Sequence, residues 1–352
     1  MLDVTPALGN VSLLERRWNV ELSSPIGALA PAPDGSAVAV SLVEGPVIVL
    51  SAQDGAERWR SDGHAFGSLS LSWSADAARL ASSGLDGNVY VHAADHGARL
   101  ATLPGGSRWV TRVAFEPGGE RLATAAGKRL RLWSGEGQLL VDWPERSSTI
   151  LDIAWRPLEA GPPAIATTSY GAVGIYDPLR KQAPARELRW QGSSLVLAWS
   201  PNAKYLATGD QDRSVHFWIT KSGRDLQMSG YPRKVRELTW HHSSRYLATG
   251  GGHFPCIWDC AGRGPAGTTP NQMEFHEEPV SALAFAHRDG RLASGALDGT
   301  IALWTPERTK TPLGIRGLGD EIVALAWLPG DDAFVAGTLG GDVACLGGCG
   351  AP

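Results

Sequence analysis

No run of 18 apolar residues occurs in this sequence, so no membrane-crossing helix is expected. Charged residues make up only 19% of the chain, too few for a solvated tail protein. The 36 acidic residues slightly outnumber the 32 basic ones, for a net charge of −4, and only six of the basic residues are Lys. Without a basic excess, nothing drives binding to nucleic acid by counterion release, and no such partner is expected. Cysteine is scarce: Cys256, Cys260, Cys345 and Cys349 all fall in the last third, without the density of a secreted disulfide scaffold. The opening MLDVTPALGNVSLLERR has Asp3 where a signal peptide needs positive charge, and lacks a continuous apolar stretch. A soluble, cytoplasmic protein that binds no membrane is the expectation. Phosphate loops, H-E-x-x-H, nucleotide fingerprints and paired carboxylates in a repeat-breaking loop are absent too, so neither an enzyme nor a cofactor is expected.

What the sequence does contain is turn chemistry, with 43 Gly and 23 Pro, alongside 14 Trp and 43% hydrophobic residues, ample for a core. These are distributed as a repeat. Pairs of short apolar runs recur, the first ending in an aromatic and the second reading like LATG: LSLSW with RLASSG, VTRVAF with RLATAA, ILDIAW with AIATTS. The anchoring aromatics are Trp73, Phe115, Trp155, Trp199, Trp240, Phe285 and Trp327, at steps of 42, 40, 44, 41, 45 and 42 residues. A degenerate earlier copy, IGALAPAPDGSAVAVS, brings the number to eight.

After each LATG-like run comes a tight turn, a third alternating strand such as NVYVHA or TIALWT, and a more polar fourth. Four period-2 strands in roughly 42 residues are the signature of a β-propeller blade. The predicted fold is therefore all-β: one propeller domain over residues 1–352, with eight four-stranded blades starting near residues 25, 64, 106, 147, 190, 231, 276 and 318. Seven blades are the alternative, but dropping the weak first copy leaves residues 25–62 without a place. The final copy lacks a fourth strand, and the strand-like piece at residues 17–22 is expected to complete it and close the ring.

The repeat resembles the WD-repeat (Trp-Asp repeat) family, whose blade carries a His before the first strand, a Ser or Thr on the second, an Asp in the next turn and a Trp on the third. Copy seven has His276, Ser294, Asp298 and Trp304 at these places. Copy two has His64, Ser82 and Asp86, with His92 in the Trp place. Copy five has Thr208, Asp212 and Trp218, with Trp190 in the His place. The resemblance implies that these side chains form a structural buried network in which carboxylate, imidazole, hydroxyl and indole satisfy one another. A Ser-His-Asp catalytic triad is the competing reading, disfavoured because the trio recurs in two copies without an oxyanion loop.

In such a ring, the loops before the first strand and between the second and third converge on one mouth, the top face. There the interface-prone candidates are Arg108, Trp109, Tyr170, Arg213, Arg233, Lys234 and His253, with Phe66 and Leu339 among their neighbours. Copy six departs most from the pattern: His253 takes the Asp place, Pro255 follows, and an AGRGPAGTTPNQ segment lengthens its exit. His241, His242 and Cys260 are expected at one end of this copy, a set compatible with zinc although the spacing matches no standard motif. The leading functional reading is a monomeric, non-enzymatic scaffold that docks a protein or peptide. The alternative is a metal-homeostasis accessory protein with a metal site on copy six. It follows a resemblance of the Arg-rich sequence and its insertion to bacterial WD-repeat proteins associated with metallochaperone GTPases.

Overall fold

The computed structural model describes residues 11–106, 109–262 and 264–347. Apart from one 3-10 turn at Leu158–Ala160, the regular structure of these residues is all strand. Each copy runs as an antiparallel meander; the first, for example, pairs Ile26–Pro31, Ala37–Leu42, Val47–Ser51 and Glu57–Ser61 in chain order. Burial follows position in the sheet. Second strands such as Ala37–Leu42 and Ala333–Thr338 are buried at every residue, because both faces pack on neighbouring sheets, and hence the small and apolar LATG-like runs. Fourth strands such as Glu57–Ser61 are largely exposed, which accounts for their polarity.

The repeat predicts eight separate four-stranded sheets; the strands instead form seven hydrogen-bonded sheets, one of them six-stranded. Copies four and five are joined in that sheet. Ile165–Tyr176 runs through the second and third strand places of copy four, with its register shift beside Gly171. Arg186–Trp199 is both the fourth strand of copy four and the first of copy five. Continuity at this second point depends on Gly192: a Cβ there would lie 2.0 Å from the Trp190 ring, so only glycine lets the extended chain pass the indole.

First strands lie side by side from copy to copy, and Ile322–Trp327 lies beside Ile26–Pro31. The anchoring aromatics bind these neighbours together. Trp73 donates its indole N–H to Ala30 O (2.8 Å), Trp155 to Ala114 O (2.9 Å), Trp199 to Ala154 O (3.2 Å), Trp240 to Ala198 O (3.1 Å) and Trp327 to Ala284 O (2.9 Å). Phe115 and Phe285 have no such donor. At these two junctions, the backbone N–H of the Phe donates to a hydroxyl of the preceding copy, Ser72 Oγ (2.9 Å) or Thr239 Oγ1 (3.2 Å). Farther out, Trp18, Trp59 and Trp143 donate to Ala52 O, Ala94 O and Arg180 O of the next copy.

The chain's early segment spans two sheets. Ser12–Leu13 pairs in parallel with Gly314 and Ile315 of copy seven, and Arg16–Glu21 pairs antiparallel with the last strand, Asp342–Gly347. Between them, Leu14 is wholly buried among Ile301, Leu303, Phe334 and Leu346, and Arg17 meets Asp332 at 2.6 Å.

Candidate functional site

In copy two, His64 Nδ1 lies 2.9 Å from Asp86 Oδ1, and its Nε2 accepts the Ser82 hydroxyl at 2.9 Å. This is the connectivity of a Ser-His-Asp triad, but Ser82 is 0% and His64 1% exposed, so no substrate reaches the hydroxyl. Burial holds the His64 pKa below its usual value, favouring the neutral ring. His92, in the Trp place, turns to Gly97 O instead, and Tyr90 supplies the missing donor: its hydroxyl reaches Asp86 Oδ2 at 2.7 Å while its ring stacks on His64.

Copy seven corrects the expected network. His276 Nε2 meets Ser294 Oγ at 2.7 Å and Trp304 donates to the same oxygen at 2.8 Å, but His276 Nδ1 meets Thr300 Oγ1, not Asp298. Asp298 accepts the Thr300 hydroxyl at 2.5 Å and the backbone N–H groups of Glu277, Glu278 and Thr300. The carboxylate thus anchors the loop and reaches the imidazole only through Thr300.

Copy five needs a second correction. Asp212, the expected network carboxylate, is exposed and accepts the Ser214 hydroxyl; the buried carboxyl is Asp210. Trp190 donates to Ser194 Oγ at 3.0 Å and leaves Thr208 to Asp210 Oδ2 at 3.5 Å. Asp210 Oδ1, His216 Nε2 and Trp218 Nε1 are buried without a hydrogen-bond partner among the described residues, while His216 Nδ1 faces Asp225 Oδ2 at 3.5 Å. Burial pushes Asp210 up to about 8 and His216 below its usual value, so both are neutral near pH 7. The signal in the sequence was LATGD, an acid where the other copies place a small or apolar residue. In copy six Tyr231 stands in the His place, a role not foreseen: its hydroxyl bonds Thr249 Oγ1 and receives the Trp258 indole N–H, each at 2.8 Å.

The two sets of mouth loops are tied together by backbone hydrogen bonds within copies one, two, five, seven and eight: Val43 N to Pro25 O, Leu85 N to Gly67 O, Gln211 N to Ser193 O, Leu297 N to Pro279 O and Leu339 N to Glu321 O. Arg108 lies outside the described residues. Trp109 and Tyr170 are 57% and 62% exposed, and Arg213, Arg233, Lys234 and His253 are exposed as well. His253 is oriented by a 2.6 Å bond from Nδ1 to Glu277 O. Phe66, at 84% the most exposed aromatic of the described residues, has a left-handed backbone (φ 70°), as does Arg213 (φ 66°). Such conformations are costly for bulky side chains and persist where the surroundings impose them. Val43 (49%) and Leu339 (43%) complete an apolar arc over copies eight, one, two, three and four.

The suggested metal ligands of copy six do not assemble. His241 is buried toward copy seven, its ring against Phe285 and its Nδ1 on Ser243 Oγ, whereas Cys260 is buried on the other side with Phe217 and Leu226 of copy five. His242 is exposed, and burial pushes the Cys260 thiol up to about 12, far from a thiolate ligand. Among the described residues no group of three or more His, Cys, Asp or Glu side chains could hold a metal ion.

Four stretches, residues 57–92, 97–134, 189–218 and 267–305, match the family described as WD domain, G-beta repeat. The chain is similar to the nuclear distribution protein PAC1 of Arthroderma benhamiae (26% identity over 62% of this chain and 44% of that protein). It is also similar to THO complex subunit 3 of Arabidopsis thaliana (26% identity; 41% and 46%) and a lissencephaly-1 homolog of Heterostelium pallidum (30%; 29% and 24%). It spans less than half the length of these relatives, all eukaryotic, which give the expected bacterial type no support. The fold matches the computationally designed Ika8 protein, with a TM-score of 0.79 at 23% identity over 95% of this chain and 99% of that one. With the repeat, the indole junctions and these matches together, the chain has a β-propeller fold and carries WD-type repeats over the four matched stretches.

Proposed function

We propose that this protein is a non-enzymatic scaffold whose top-face loops dock a protein or peptide partner. WD40 repeat proteins act as protein-interaction scaffolds. The observation carrying the reading here is the apolar arc: Leu339, Val43, Phe66, Trp109 and Tyr170, from five successive copies, stand exposed on the same mouth. Solvent-facing aromatics of this size, held by a rigid sheet scaffold, are the residues that dominate interface energies. The wholly buried hydroxyl of copy two and the absence of a catalytic motif support a role in binding rather than chemistry. A monomer in the cytoplasm, without a nucleic-acid or membrane ligand, fits the net charge of −4 and the lack of a long apolar run.

The test is affinity capture with the intact protein and with a Phe66→Ala, Trp109→Ala, Tyr170→Ala triple variant, identifying the bound proteins by mass spectrometry. Partners retained by wild type and lost from a folded triple variant support the reading. Equal capture by both moves the interaction away from this arc.

A further inference from the structure

Copy six carries a cavity beside its third strand. Its fourth strand is cut to Asn271–Gln272, which pairs only with Ile257 and Cys256, because the preceding insertion detours before the strand begins. The space left beside the third strand, together with the connection from copy five, forms a half-open cavity of about 340 Å³. Its floor is the buried Tyr231, Cys256 and Trp258, and Pro232, Phe254 and Pro270 wall it.

The chemistry of this floor selects its occupant. The Trp258 N–H is spent on the Tyr231 hydroxyl, that hydroxyl is bonded to Thr249, and Cys256 Sγ points to Phe254 O. The floor therefore offers apolar surface, and a polar group set against it would lose its own hydrogen bonds. At the rim are Ser229, Gln272 and His253. His253 donates its Nδ1–H to Glu277 O, which leaves Nε2 to hydrogen-bond a peptide group. Arg233 and Lys234 directly follow Pro232, and Arg213 is on the adjacent mouth turn of copy five; all are exposed, and none forms an ion pair among the described residues. The acids of this neighbourhood are placed otherwise. Asp212 accepts the Ser214 hydroxyl beside Arg213, Glu237 is turned in against Gly250, and the exposed Glu274, Glu277 and Glu278 lie on the Gln272 and His253 side, leaving Arg233 and Lys234 as the basic flank.

We infer that this cavity is a peptide-docking site that takes an aromatic or aliphatic anchor side chain flanked, on the Arg233 and Lys234 side, by acidic residues of a partner protein. The inference rests on the scaffold reading and names a second, separate point of contact for it.

Fluorescence polarisation of labelled peptides tests this. The probes are Asp-Asp-Phe-Gly, its reversed order Gly-Phe-Asp-Asp, Asp-Asp-Ala-Gly and Lys-Lys-Phe-Gly, titrated with the full chain. Saturable binding is expected for at least one Asp/Phe peptide, with a loss of about tenfold or more on replacing Phe by Ala or Asp by Lys. Arg233→Glu with Lys234→Glu should weaken it similarly, and Ser229→Phe, crowding the rim, should block it at unchanged melting temperature. If Ser229→Phe perturbs the fold, Gln272→Trp serves the same purpose. Equal binding of the Phe and Ala peptides, unaltered binding to a folded rim variant, or no saturable binding would overturn the inference. If the peptides fail while partner capture still depends on Phe66, Trp109 and Tyr170, the pocket alone is rejected; if they bind while capture ignores those residues, the arc is rejected and the pocket stands.

Discussion

The indole N–H of Trp155 ends 2.9 Å from the carbonyl oxygen of Ala114, the residue just before the anchoring aromatic of the preceding copy. The same offset recurs wherever a Trp closes a first strand after another copy. Where the aromatic is Phe, the residue at the accepting position is no longer Ala but Ser72 or Thr239, and its hydroxyl takes a backbone N–H. Each junction from copy one through copy eight is thus satisfied by one of two solutions, an indole on a carbonyl or a backbone amide on a hydroxyl.

Trp155→Phe should consequently lower stability by about 1–3 kcal/mol, the cost of a lost hydrogen bond with a half-buried carbonyl left behind. Adding Ala114→Ser should recover part of that loss by building the Ser72 and Phe115 arrangement at a new junction. Denaturant unfolding of the single and double variants decides it; an additive double variant would show that the two solutions are not equivalent.

Thr300→Ala removes the direct partner of His276 Nδ1 and leaves Asp298 Oδ1 with only the backbone N–H of residue 300. A stability loss of about 1–3 kcal/mol is expected, with a changed tautomer signature of His276 in nitrogen NMR. An unchanged His276 spectrum would mean that the threonine does not fix the imidazole.

Asp210 sets a pH dependence. Its pKa in the folded protein, about 8, lies above the ordinary 3.8, so its contribution to stability is fully present below the lower value and is lost as pH rises through the higher one. Relative to Asp210→Asn, which does not titrate, the wild type should lose stability steadily between about pH 4 and pH 8. Unfolding of both proteins at pH 5, 7 and 9 measures this, and a constant difference would count against the buried neutral acid. His216, held below its usual pKa beside it, acts in the opposite sense on acidification, but it is common to both proteins.

Leu14→Ala should cost about 2–5 kcal/mol, as for other wholly buried leucines, although the residue belongs to a short segment ahead of the first copy. A loss under about 0.5 kcal/mol, typical of surface positions, would show that this segment adds little to the two sheets it joins.

Purified protein should contain no stoichiometric zinc, and His242→Ala should change stability by less than about 0.5 kcal/mol. Elemental analysis and thermal melts with and without chelator check both; a metal equivalent lost together with several degrees of melting temperature would restore a metal role to copy six.

The anchoring aromatics and LATG-like runs were legible in the sequence because one residue type at a fixed step reports a fixed place between two sheets. What escaped depended on partners only folding brings together. Gln191-Gly192-Ser193 reads as a loop, yet the packing of Trp190 over Gly192 keeps it extended and fuses two copies into one sheet. Asp298 and Asp212 occupy the expected places, but Thr300 intervenes in one copy and Asp210 takes the interior in the other. His241 and Cys260 lie at the same end of copy six by count, and the strand's alternation turns them to opposite faces. Among the mouth residues, the sequence pointed to Trp109 and Tyr170 from side-chain type, whereas the strained backbone of Phe66 could be seen only in the fold.

The pairing of Arg16–Glu21 with the last strand joins residues such as Asn19 and Asp342, 323 positions apart. A ribosome releases the first of these long before the second exists, so an edge of strand with unmet amides, Trp18 included, must wait while every intervening copy is made. Contacts of such separation slow folding, and until they form, the outer edges of the first and last copies invite pairing with other chains. Aggregation during synthesis should therefore be most sensitive to whatever shields residues 16–21 in that interval, an exposure that the folded protein no longer displays.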